Sequence, residues 1–189
     1  MNQQPASGTP AQVDVLGSPA YDVTLAFETF YAQEIRGLVA LAAGLCGRAW
    51  AEDVAQEAML VTCRRWREVG RRDHPEAFAR RVCSNLAVSA FRRRLVEMRA
   101  VMRLTDRSWS RVETVPGADD EFWAAVAGLP RRQAQATALR YLYGLDVAEI
   151  AETLGISVGT AKVHLYRGRQ ALAGRLGVEA DAAVTEEGR

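Results

Sequence analysis

The sequence predicts an all-α protein of two small helical domains joined by a flexible linker. Three observations carry that reading. Apolar residues recur at helical spacing through residues 25–104 and 120–177, and no segment shows a credible strand pattern. Residues 105–119, TDRSWSRVETVPGAD, lose the period and contain Pro-Gly, which divides the helices into two groups. Between Gly144 and Leu172 a capping box, a turn glycine and a basic helix follow one another, the pattern of a helix-turn-helix.

Residues 1–20 are rich in Pro, Gly, Ser and Gln and read as a disordered tail. The first domain spans 21–104. Its first helix runs from Leu25 to about Leu45, with Phe27, Phe30, Tyr31, Leu38, Leu41, Ala42 and Leu45 at helical spacing. After a break at Gly47, a second helix runs from about Ala51 to Val69, and Gly70–Pro75 is a basic loop. Pro75 is suited to the first turn of a third helix, because its missing N–H would be unpaired there anyway. Phe78, Val82, Leu86 and Phe91 mark the apolar side of that helix, which continues to about Leu104. The linker is 105–119 and the second domain 120–177. The latter opens on a helix holding Phe122, Trp123 and Val126, and Pro130 starts a helix that Gly144 stops. Residues 178–189 form an acidic tail.

In the helix-turn-helix, Asp146 caps the first helix and Glu149 completes a capping box. Val147, Ile150, Ala151 and Leu154 form its apolar face, and Gly155 can take the positive φ of the turn. Ser157 caps the next helix. There Val158, Ala161, Leu165 and Leu172 are expected to point inward, leaving Thr160, Lys162, Val163, His164, Tyr166, Arg167 and Gln170 outside. Short polar, basic and aromatic side chains on one exposed face suit base edges and phosphates in a major groove. An ordinary core hairpin is the competing reading.

The 189 residues, 49% of them hydrophobic, suffice for a core. No apolar run approaches the roughly 20 residues needed to span a bilayer. No basic-then-apolar leader is evident. A cytoplasmic protein without membrane insertion is therefore expected. Cys46, Cys63 and Cys83 match no zinc spacing and are expected to be buried free thiols. His74 and His164 lie in no metal-ligand motif, and there is no nucleophile motif or phosphate-cradling glycine loop. No cofactor, no metal and no enzymatic activity are expected.

Charge is segregated. Residues 64–111 carry 14 basic and 5 acidic side chains, and residues 155–177 carry 4 basic and none acidic. Between them, residues 112–154 carry 3 basic and 7 acidic. Two basic zones divided by an acidic one suggest two contacts with a polyanion. In the second helix, Glu52, Asp53 and Glu57 precede Arg64, Arg65 and Arg67, which suits the helix dipole. Gln56, Glu57 and Leu60 are equally compatible with a protein-docking patch. Arg92, Arg93 and Arg94 cover most of a helix circumference, and phosphate binding is their natural role. Asn85, mid-helix among apolar residues, needs a partner, either backbone or base. Trp66 and Phe78 lie among arginines, where stacking on unpaired bases competes with simple core packing.

Together these segments resemble an extracytoplasmic-function sigma factor of the sigma-70 family over residues 22–177. AEDVAQEAML resembles region 2.2, HPEAFARRVCSNLAVSAFRRR region 2.4, and LPRRQAQATALRYLYGLDVAEIAETLGISVGTAKVHLYRGRQAL region 4. The resemblance implies a factor that directs bacterial core RNA polymerase to promoter DNA. Asp53, Gln56, Glu57 and Leu60 would dock on the β′ clamp helices. Trp66, Arg67, Arg71, Arg72, His74 and Asn85 would take the −10 element as single strand with a flipped base, with Arg92, Arg93 and Arg94 on nearby phosphates. The second domain would sit on the β flap and set Thr160, Lys162, Val163, His164, Tyr166 and Arg167 at the −35 major groove. An anti-sigma factor is expected as a further partner. It would hold the chain at the membrane; otherwise the chain would associate with the nucleoid. Ala55 and Met59 depart from the bulkier residues of region 2.2, which implies reshaped clamp docking. Val163 and His164 replace more polar or basic residues, which implies a different −35 preference. The rival readings are a stand-alone regulator with a similar helix-turn-helix and a protein-binding adaptor. The first would carry an alternating strand–helix receiver in its N-terminal half, and the second would not need the second basic zone.

Overall fold

The computed structural model describes residues 19–104 and 118–177. The tail before residue 19, most of the expected linker and the acidic tail lie outside these residues. Among the described residues there are helices and no strand: α1 (Pro19–Cys46), α2 (Arg48–Arg64), α3 (Trp66–Val69), α4 (Pro75–Leu104), α5 (Ala118–Ala127), α6 (Arg131–Tyr143), α7 (Val147–Leu154) and α8 (Val158–Leu176).

In the first group, α1 packs on α2 and α4. Leu38, Leu41, Ala42 and Leu45 of α1 are buried against Ala51, Ala55, Ala58 and Met59 of α2. Gly47, at φ 90°, turns the chain between these helices in a conformation that a Cβ would disfavour. The expected single helix over Ala51–Val69 is interrupted at Arg65, whose N–H bonds the carbonyl of Thr62. Just before the break, the buried Thr62 hydroxyl donates to the carbonyl of Ala58, a back-bond that bends helices. The interruption brings the Trp66 ring to 4.8 Å from Phe30 and 5.2 Å from Phe27.

The buried stripe of α4 differs from the expected one. Phe78, Val82, Leu86 and Phe91 are only partly buried, and Ala79, Cys83, Ser84, Ala87 and Val88 face the core. Small residues let α4 lie close to α1 and α2, and the bulky ones flank the contact. Ala55 and Met59 are likewise buried, at 0% and 2% exposure. Ala55 is taken up entirely by core packing, whereas Met59 also contributes to the floor of a groove between α1 and α2.

In the second group, Val126, Leu129, Ala134, Ala138, Leu139, Ile150, Ala151, Leu154, Ala161 and Leu172 make the core. The capping box is formed: Glu149 N–H donates to Asp146 Oδ1 at 2.8 Å, and Asp146 N–H donates to Glu149 Oε2 at 2.7 Å. Gly155 closes α7 at φ 63°, and Ser157 Oγ accepts from the Thr160 N–H at 3.2 Å. Arg175 donates to the carbonyls of Ala125 and Gly128, pairing acceptors that the end of α5 leaves over.

The two groups are not separate. α1 packs against α5 and α6, α4 packs against α6 and α7, and one continuous apolar core runs through both.

Candidate nucleic-acid interface

The first surface is the outer face of α8. Thr160, Lys162, Val163, Tyr166 and Arg167 are exposed, with Val163 at 45% and Tyr166 at 65%. Two side chains differ from expectation. Val158 is 45% exposed, because the buried stripe of α8 starts at Ala161 and continues through Gly168 and Leu172, leaving the first turn uncovered. His164 is half-buried, and its Nδ1 is enclosed without a hydrogen-bond partner. Burial, and then the charges of Arg132 and Arg167, hold its pKa below the ordinary histidine value, which favours the neutral imidazole.

The second surface surrounds the turn between α3 and α4. Arg71, Arg72, Asp73, His74, Ala77, Phe78 and Arg81 line a cavity of about 400 Å³ together with Glu152 and Thr153 of α7. The guanidinium groups of Arg65 and Arg72 lie 5.3 and 5.4 Å from the Phe78 ring centre. Glu68 joins both arginines, and its pKa is lowered first by the bond from Arg72 and then by that from Arg65. His74 is pushed above the ordinary histidine value by its bond to Glu76, with the charge of Glu152 next. Arg67 is exposed. Trp66 spends its ring on Phe27 and Phe30, so it braces the turn from behind.

The partners of Asn85, on α4, are neither of the two expected, backbone or base, but side chains of α6. The Asn85 Oδ1 accepts from Gln135 Nε2 at 2.9 Å and from Arg131 Nη2, both on α6. Farther along α4, Arg92 and Arg93 are exposed, and Arg94 lies 5.6 Å over the ring of Trp50. Sequence reasoning missed Trp50, which is 47% exposed. The available signal was its place off the Ala51, Ala55, Ala58 stripe.

The third surface is a groove of about 630 Å³ between α1 and α2, lined by Phe27, Tyr31, Asp53, Gln56, Glu57, Met59, Leu60 and Cys63. Leu60 is 44% exposed at its edge. An apolar floor with a carboxylate rim suits a basic, amphipathic helical partner.

The thiols divide differently from expectation. Cys46 and Cys83 are buried, but Cys63 is exposed because it lies on the groove side of α2, one residue past the buried Thr62. Burial pushes the Cys46 thiol up to about 11 and Cys83 up to about 12. The thiolate is the reactive form, so both are inert at pH 8. A disulfide reagent at that pH is expected to modify one thiol per chain quickly, and Cys63→Ser to remove that reaction; fast modification of a second thiol in the folded chain would contradict the assignment.

Among the described residues no group of His, Cys, Asp and Glu could hold a metal, and no helix is long and apolar enough to cross a membrane.

Comparison with known proteins agrees with this arrangement. Residues 30–95 match the family Sigma-70 region 2, and residues 119–172 match Sigma-70, region 4. The chain is 32% identical over 127 residues to the ECF RNA polymerase sigma factor SigF of Caulobacter vibrioides, covering 66% of this chain and 70% of the relative. Its fold is similar to that of the sigma factor RpoE of Bartonella quintana, solved in complex with the anti-sigma factor NepR. The TM-score is 0.60 at 23% identity, over 81% of this chain and 98% of that one. It is also similar to CnrH, solved with the cytosolic domain of CnrY, with a TM-score of 0.57 at 17% identity, over 82% and 94%. Two family matches in this order, and a relative 32% identical over 127 residues, establish that the chain belongs to the sigma-70 family as an extracytoplasmic-function sigma factor.

Proposed function

We propose that this sigma factor, which directs core RNA polymerase to promoters, divides its work among the three surfaces described. The α1–α2 groove, with Asp53, Gln56, Glu57 and Leu60, docks on the β′ clamp helices. The α3–α4 cavity takes the −10 element as single strand: Arg67, Arg71, Arg72 and His74 hold its backbone, Asn85 reads a flipped base, and Arg92, Arg93 and Arg94 hold flanking phosphates. Melting costs about 1.4 kcal/mol per base-pair step, so a pocket that traps a flipped base offsets part of that cost. The face of α8 reads the −35 element, with Lys162 and Arg167 on phosphate or guanine and Val163 and Tyr166 on apolar base edges. His164 is the weakest member of that set, since its ring is partly withdrawn. Trp66 serves as a brace.

The observation that carries this reading is the exposed basic and aromatic face on a capped recognition helix, set on the same chain as an arginine-lined cavity. The first domain is 21–104 and the second 120–177, with the linker threading the polymerase cleft and the second domain resting on the β flap. The chain acts as a binding factor with no catalytic chemistry of its own. It works in the cytoplasm, at the nucleoid when active and under an anti-sigma factor otherwise. The complex of the sigma factor RpoE with the anti-sigma factor NepR supports that last assignment.

The test is transcription in vitro with core polymerase and fragmented genomic DNA, mapping RNA 5′ ends. Discrete starts sharing two upstream elements are expected. Val163→Ser should change the preferred −35 base, each good contact contributing roughly 1–3 kcal/mol of discrimination, and Asn85→Ala should act on the −10 element alone. An unchanged −35 preference in Val163→Ser would remove that residue from the reading set.

A further inference from the structure

We propose that Trp50 is a positioning residue for DNA binding: its ring holds the Arg94 guanidinium ready for a backbone phosphate beside the −10 element. The inference rests on the assignment of Arg94 to phosphate.

The placement begins at the turn between α1 and α2. Gly47, at φ 90°, lets α2 start at Arg48, and the Trp50 N–H donates to the Gly47 carbonyl at 3.3 Å. Trp50 is thereby fixed in the first turn of α2. A helix advances about 100° per residue, so Trp50 stands one step off the buried stripe of Ala51, Ala55 and Ala58. Its ring is 47% exposed, and much of the indole is left outside the core. On that side α2 packs against α4, and the Arg94 guanidinium comes to 5.6 Å from the ring centre.

Arg92, Arg93 and Arg94 are consecutive but not equivalent. The first two are exposed, whereas Arg94 is half-buried and rests on the ring. Glu97 lies one turn farther along α4 and is exposed, yet among the described residues Arg94 forms no ion pair.

The nature of that partner decides what Arg94 can do. A carboxylate would occupy the planar N–H fork and cancel the charge that a phosphate needs. An aromatic face attracts the cation through its ring quadrupole, most strongly for indole. Stacking uses the face of the guanidinium and leaves the in-plane donors free. Arg94 thus keeps its charge and its fork. It also gives up less side-chain freedom on meeting a phosphate than an arginine that rotates freely. The ring and the phosphate are therefore compatible partners of one side chain.

The test is the affinity of the holoenzyme, assembled from core polymerase and the full chain, for promoter DNA from the mapped starts, followed from low to high salt. Arg94→Ala should lower the salt slope by up to about 0.9, which removes about a 3-fold fall between 50 and 200 mM salt. Trp50→Ala should weaken binding and flatten the slope toward that of Arg94→Ala. Made in the Arg94→Ala background, it should cost nothing further. Trp50→Phe, which keeps a ring face, should restore most of the affinity. Trp50→Leu, which keeps bulk without a ring quadrupole, should not, and it separates the ring's attraction from simple packing. Wild-type affinity and slope in Trp50→Ala, beside a flattened slope in Arg94→Ala, overturn the positioning and leave the phosphate contact standing. A Trp50→Ala loss of the same size with and without Arg94 also overturns it, since the ring then acts on DNA or on the fold independently of Arg94. A wild-type slope in Arg94→Ala refutes the underlying phosphate assignment, and the positioning falls with it.

Discussion

Arg92, Arg93 and Arg94 changed together to alanine should reduce initiation and flatten its salt dependence. Each phosphate held by an arginine contributes up to about 0.9 log units of affinity per log unit of salt. Releasing two phosphates would then remove about a 10-fold fall between 50 and 200 mM salt, and releasing three about a 40-fold fall, on that same slope. A result within this range is expected, since Arg92 and Arg93 are exposed while Arg94 is partly engaged over Trp50. Exposed substitutions of this kind change stability by less than about 0.5 kcal/mol. Thermal melting should therefore stay put while the salt slope falls. A triple variant with the wild-type slope would take these arginines off the DNA.

Leu139→Ala should be the most destabilising single change considered, at about 2–5 kcal/mol, because a fully buried leucine leaves a cavity that its neighbours fill only in part. For a chain of this size each kcal/mol lowers Tm by about 2–4 °C, so the melt should drop by roughly 4–20 °C. Leu139 lies on α6, which carries Arg131 and Gln135 to Asn85 and supports α8 through the approach of Gly168 to Thr137. Loss of the α6 core should therefore loosen both α8 and the contact of α6 with α4. A circular-dichroism melt lowered by less than about 2 °C, under the bottom of the range for even one kcal/mol, would mean that Leu139 is not the anchor its burial implies.

Much of the architecture is legible in local chemistry. The capping box at Asp146 and Glu149, the Gly155 turn, the break at Gly47 and the start of α4 at Pro75 depend on residues within a few positions of one another. Local reading fails where a residue's role depends on what lies across from it. Val158 has the spacing of an inward residue, but no helix covers the first turn of α8. Cys63 has the chemistry of a buried thiol, yet it faces the α1–α2 groove. The bulky side of α4 reads as its core side, whereas Ala79, Cys83 and Ala87 face inward because close helix packing favours small residues.

Helix ends, family membership and the residue types at each interface are all written in the chain itself, since caps, turns and motif order are short-range properties. How the two halves meet is settled in three dimensions. The partners of Asn85 lie 46 and 50 residues away, and nothing in the local pattern of α4 or α6 marks them. Glu152 and Arg81 are likewise ordinary surface charges on their own helices, and they line one cavity because α7 packs against α4. Such pairings depend on shape and on the need to satisfy buried polar groups, which a helical period does not encode.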